Sequence, residues 1–241
     1  MTRWSWLASL ALVPVACVPA DEAVPLGSVA FTMTASPLTL QGIGPATFVE
    51  GWELRFDRVL LSFKTMTVGK IGDPERCAYR GRGATSDVVF DPRRGIVQTF
   101  NGITPTDCPD VGVVLGPPGD ATVPAAGASP DDLLDLAGGA PAHVVVEGEA
   151  RRADRSYRVA LRFDSVRAAT EFGGCRTATA RGVRVLPDER QRVTVAFAAE
   201  ALFRESISVS AALRFAPFAE ADAAGDDDGV ITMFDLDSVR L

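Results

Sequence analysis

The run "SYRVALRFDSV" alternates apolar and polar side chains with a period of two. Tyr157, Val159, Leu161 and Phe163 fall on one side, and Arg158 and Arg162 on the other. A helix repeats every 3.6 residues and scatters such a pattern around its surface, whereas a strand sorts it onto two faces. The run therefore predicts a half-buried antiparallel strand, apolar inward and polar outward. "SVAFTMTA", "DVVF", "GIVQTF", "VGVVLG", "AHVVVEGEARR", "GVRVLP", "QRVTVAFAAEALF" and "SISVSAALRFAPF" extend the pattern between Gly, Pro and Asp turns. In "WELRFDRVLLSFKTMTV" the apolar parity passes from Trp52, Leu54 and Phe56 to Leu61 and Phe63, with Thr65 following. A change of phase near Val59–Leu60 is what a β-bulge or a bend does to a long strand. Spaced strands with few helices predict an all-β fold, an antiparallel β-sandwich over residues 28–241. "LRFDRV" at 54–59 recurs as "LRFDSV" at 161–166, which fits either two similar β halves or convergence of like strands.

Residues 116–142 differ, being rich in Pro, Gly and Ala, and read as one long connection. Within it "SPDDLLDLAGG" is punctuated as a short helix: Ser129 caps, Pro130 takes the first helical position, and Gly138 closes. Asp131 and Asp132 complement the positive end of its dipole. "FAAEALFRE" has the alanine content of a helical turn.

The N-terminus "MTRWSWLASLALVPVAC" reads as an export signal, with Arg3 ahead of an apolar stretch from Trp4 to about Val15. That stretch is too short for a spanning helix. "PVAC" resembles a bacterial lipobox, with Pro14 where an aliphatic residue is usual; it implies that residues 1–17 form a lipoprotein signal and that Cys17 is retained and lipidated. Cleavage after Ala20 is the alternative and gives a secreted chain. Residues 18–27 are a polar tether. Val18 after the cysteine, by resemblance to Gram-negative lipoproteins, implies the outer membrane. Outside the cytoplasm a disulfide is expected, with Cys77, Cys108 and Cys175 as candidates. Three thiols cannot all pair within one chain, and the pairing stays open.

The chain ends in "EADAAGDDDGVITMFDLDSVRL". An EF-hand calcium loop places oxygens at positions 1, 3, 5, 7, 9 and 12, with Gly at 6. With Gly229 at position 6, Asp226 falls at 3, Asp228 at 5, the Val230 carbonyl at 7, Thr232 at 9 and Asp235 at 12. Position 1 is Ala224, and Asp222 substitutes for it if the loop is expanded. A hard cation needs six to eight oxygens, and glycine lets the backbone wrap tightly. The shorter arm of Asp235 and the six residues after it, too few for a full exiting helix, point to a weak calcium site of about 0.1–1 mM. The competing expectation for residues 220–237 is a solvated hairpin turn entering a strand.

The lipobox, the "GWELRFDRVLLSF" strand and the "RFAPFAEADAAGDDDGVIT" ending together are similar to bacterial surface lipoproteins with a degenerate EF-hand-like C-terminal tail. That resemblance implies a place in the envelope and a calcium ion, not a reaction. Of the 241 residues 47% are hydrophobic, enough to bury a core. A net charge of -7 repels phosphate backbones and argues against nucleic-acid binding. The single histidine, His143, has no companion ligands for a zinc site, and no G-x-S-x-G turn is present. The expected function is a membrane-anchored, non-enzymatic envelope lipoprotein that binds or scaffolds a protein or carbohydrate partner. The alternative is a secreted hydrolase working through carboxylates, for which Glu147 and Glu149 share a strand face.

Overall fold

The computed structural model describes residues 26–68, 87–103, 106–108, 111–153, 155–164, 170–172, 183–206, 208 and 210–238. The expected signal segment, most of the expected tether, and Cys17, Cys77 and Cys175 lie outside them; Cys108 lies within. The expected disulfide therefore falls outside the described residues for every pairing.

The chain is mostly strand. The first half carries β1 (Gly27–Ala35), α1 (Pro37–Gln41), β2 (Glu53–Val68), β3 (Val88–Phe90), β4 (Ile96–Ile103), β5 (Thr106–Cys108), β6 (Val111–Leu115) and β7 (Val123–Ala125). Then come α2 (Pro130–Ala137), β8 (Ala142–Arg152), β9 (Arg155–Asp164), β10 (Thr170–Phe172), β11 (Val183–Val185) and β12 (Arg190–Phe197). A 3-10 helix (Ala199–Phe203), α3 (Ala216–Ala224), β13 (Val230–Ile231) and α4 (Met233–Ser238) end the described chain. Among the described residues no helix is long and apolar enough to cross a membrane.

One sheet has the order β12-β1-β4, the other β10-β6-β2-β8-β9-β13, with β3 on β2 and β7 on β3; β11 and β5 form a separate pair. Leu61 pairs with both Phe90 and Val144, and Phe63 with both Val88 and Leu115. A strand residue has two edges, so β8 and β6 follow one another along one edge of β2 while β3 takes the other. Val29, Phe31 and Met33 of the first sheet share a core with Leu54, Val59, Leu61 and Phe63 of the second, which makes the fold sandwich-like.

The structure corrects several expectations. The sheets are mixed: β1 with β12, β3 with β7 and β9 with β13 run parallel. Alternation reports half-burial, not strand direction, and long connections of the kind parallel pairs need are present here. The phase change in β2 is the expected irregularity of a bulged strand, placed at Phe56–Arg58 rather than near Val59–Leu60. Its pairing with β8 shifts register between Phe56 and Arg58, and then Val59 to Phe63 are buried on both faces. Leu60, Val89 and Val145 turn to a second cluster with Leu136 of α2, so this stretch reads as a continuous apolar run. Complete burial of Leu136 contributes about 1.5–3 kcal/mol.

The helix in the long connection forms as its punctuation indicates. Ser129 and Asp132 close a reciprocal capping box, Pro130 sits in the first turn, and Gly138 ends α2. The connection also holds β7, which had no signal beyond "ATVPA". "SISVSAALRF" is not a strand among its described residues; Ser208 and Ser210 bond to each other, and Leu213 makes only isolated bridges. Serine hydroxyls that bond locally compete with a ladder.

Candidate metal centre at the C-terminal loop

Helix α3 is made of Ala, Phe and acidic residues, with Pro217 in its first turn. Its Phe218 is buried with its ring 4.7 Å from Phe203 and 6.0 Å from Phe215. Phe215 in turn packs 4.8 Å from Trp52. The helix is thus anchored in the aromatic end of the core before the acidic loop begins.

The loop leaves α3 at Gly225, whose N–H donates to the carbonyls of Ala221 and Asp222. The Asp227 N–H then returns to the Asp222 carbonyl at 2.9 Å. Asp227 and Gly229 have φ of 52° and 77°, the left-handed region that Asp tolerates and Gly occupies without strain. Asp228 Oδ1 accepts from the Val230 N–H at 2.7 Å, and the Gly229 carbonyl accepts from Arg158 of β9 at 2.9 Å. The chain then joins the sheet edge as β13, parallel to β9. A strand residue directs its N–H and C=O to the same side, so the Val230 carbonyl faces the acidic loop rather than β9.

Helix α4 follows at once; it spans six residues, Met233–Ser238, and is a short helix rather than a full exiting one. It starts much as α2 does: Asp235 Oδ2 accepts from the N–H and hydroxyl of Thr232, at 2.8 and 2.7 Å. The whole is a helix–loop–helix with one short strand, not a hairpin entering a longer strand. The hairpin expectation weighed β-propensity over 230–237, but the Thr232–Asp235 contact turns the chain into a helix after two residues. A Cβ on Gly225 would lie 2.6 Å from Asp235 Oδ1, so the close seating of Asp235 requires glycine there.

Asp222 is completely buried, and neither of its carboxylate oxygens has a hydrogen-bond partner. Asp226 and Asp228 are exposed, and one oxygen from each of the three residues lies within 4.8 Å of the others. Oxygens about 2.3–2.6 Å from a common ion are at most about 5 Å apart, so this spacing suits a shared calcium. Burial pushes the Asp222 carboxyl above its usual range, and the charges of Asp228 and Asp235 push it further. The Gly229 amide works the other way without reaching ordinary hydrogen-bond geometry. Either a proton or a cation relieves such a group; a hard divalent ion does so for all three carboxylates at once.

Of the six residues expected to ligate, Asp222, Asp226 and Asp228 come together, with Asp222 in the place of the missing first ligand. Val230 turns its carbonyl to the loop. Thr232 and Asp235 are engaged with each other at the start of α4, and Asp235 remains close enough to act on Asp222.

The carboxylates considered for hydrolysis are held by arginines. Glu147 pairs with Arg58 at 3.3 Å, and Glu149 with Arg151 at 2.6 Å while accepting from Ser156. His143 is buried, its Nδ1 lacks a partner, and burial pushes its pKa down. Sequence reasoning missed Glu200, a buried carboxylate whose Oε2 accepts from Ser36 at 2.6 Å and Thr39 at 2.8 Å. Its partners lie about 160 residues away in the chain, and no local pattern announces them.

No known family model matches the chain, and no curated protein or solved structure is similar to it.

Proposed function

We propose that this chain is a non-enzymatic envelope lipoprotein, anchored in the outer membrane through Cys17, that binds or scaffolds a partner and takes a calcium ion at its C-terminal helix–loop–helix. The observation that carries the calcium reading is Asp222: a wholly buried carboxylate, unpartnered, with Asp226 and Asp228 converging on it. Buried charges in folded chains are paired or coordinate metals. Asp222, Asp226 and Asp228 would supply carboxylate oxygens and Val230 its carbonyl. Thr232 and Asp235 would complete the shell from the start of α4.

The ion's role in this reading is structural. It ties α3, seated among aromatic residues, to the β9 edge and α4. Extracellular calcium reaches the millimolar affinities of such modules, so a weak site is filled outside the cell. A non-enzymatic role is supported by the arginine pairing of Glu147 and Glu149, which gives each carboxylate a cationic partner within the fold.

Two experiments test the proposal. Thermal melts of the full chain in chelator and in millimolar calcium are expected to differ by several degrees, and no difference removes the ion. Mass spectrometry of the mature protein from cells is expected to find an acylated Cys17; an unmodified chain starting at Asp21 removes the anchor.

A further inference from the structure

The two sheets do not close on each other everywhere. Between them lies a cavity of about 370 Å³, walled by Phe63, Val113 and Leu115 of the second sheet and Met33, Val195 and Phe197 of the first. Among the described residues no charged side chain lines it, and Thr34 supplies the only side-chain hydroxyl. Its lining includes Ala201 of the 3-10 helix, which is exposed, so a small side chain leaves a mouth toward solvent there.

A site of this kind has few chemical uses. A water needs two to four polar partners to settle in a cavity, and these walls offer almost none. An empty apolar void costs stability because its lining loses dispersion contacts. The volume falls within the range of about 300–1,000 Å³ common to small-molecule sites. Uncharged apolar walls exclude nucleotides, sugars and ionised groups, which would leave their polar atoms unpaired. A hydrocarbon chain meets every condition: it fills a gap between two layers, needs no partner inside, and leaves a polar head in water at the mouth.

The geometry points to a binding site for a single acyl chain between the two sheets, entered past Ala201. It shares no residue with the acidic loop and does not depend on calcium or on lipidation of Cys17.

The test is a titration of the full chain with cis-parinaric acid, a fluorescent fatty acid. Saturable binding at one site per chain is expected. Ala201→Trp, which fills the mouth, and Val113→Phe, which fills the interior, are each expected to abolish it while the circular dichroism spectrum stays native. Lack of saturable binding by the native chain overturns the proposal, as does binding retained by both variants. If Ala201→Trp does not fold, Val113→Phe decides alone.

Discussion

Two acidic clusters differ in what stands at their centre. Asp132, Asp135 and Glu147 gather around the guanidinium of Arg58, at 2.5, 2.8 and 3.3 Å, and Arg162 reaches Asp135 at 2.9 Å. Asp222, Asp226 and Asp228 gather around no cationic side chain: among the described residues no Lys or Arg pairs with any of them. The clusters are otherwise alike. Each abuts a short helix whose start pairs a Ser or Thr with an Asp three residues on: Ser129 with Asp132, and Thr232 with Asp235. Each docks against the β8–β9 side of the second sheet, through Glu147 in one case and Arg158 in the other. Carboxylates crowd together in a fold when something positive holds them. In the first cluster that is an arginine from β2; in the second no described side chain supplies it, which is the ground on which we propose an external cation there.

The largest difference should come from deleting the cation the chain does supply. Arg58→Met leaves three carboxylates facing one another, and should cost about 2–3 kcal/mol, less than a fully buried pair because the site is partly open to water. Urea denaturation measures this, and added salt should recover part of the loss. If stability is unchanged, the arginine is not what holds the first cluster.

Asp222→Asn should act with the opposite sign. In chelator it removes repulsion and a buried charge, and should stabilise by about 0.5–2 kcal/mol. In millimolar calcium it should abolish the rise in melting temperature. A site filled to ten to a hundred times its dissociation constant gives about 1.4–2.7 kcal/mol, so the native chain should overtake the variant there. A variant that keeps the calcium response would place the ion elsewhere.

The pH slopes should also oppose. Asp132 lies below its ordinary range: burial works against this, but hydrogen bonds from Ser129 and the contact with Arg58 outweigh it. Its contribution is therefore present above the ordinary aspartate range and lost as pH falls through the native value. Asp222 lies above its ordinary range through burial and its acidic neighbours. Its contribution is present at low pH and lost as pH rises through the raised native value. In chelator, Asp132→Asn should flatten the acid side of the stability profile and Asp222→Asn the side just above it; equal profiles would erase the contrast.

The smallest effects belong to the helix starts. Ser129→Ala and Thr232→Ala should each cost about 0.5–1 kcal/mol by circular dichroism melts. Only Thr232→Ala should also weaken the calcium response, since Asp235 loses its support.

These two clusters also mark how far local pattern reaches. The acids of the loop stand within fourteen residues of one another, and their spacing around Gly229 already pointed to an expanded loop that begins at Asp222. The strands β8 and β9 and the helix α2 were equally legible, because alternation and capping are local signals. The Arg58 cluster joins residues 74, 77 and 89 positions apart, and nothing near Arg58 distinguishes it from other outward-facing arginines. The parallel pairings were hidden for the same reason. The short helix α4 was missed because Val, Ile and Phe favour strand, while Thr232 and Asp235 together set a helix start.

The most direct test is calorimetric titration of calcium into the full chain, beside Asp222→Asn. One calcium bound per native chain with a dissociation constant of about 0.1–1 mM, and none by the variant, is the predicted result. Heat no greater than dilution for the native chain, or the same isotherm for both, would contradict it.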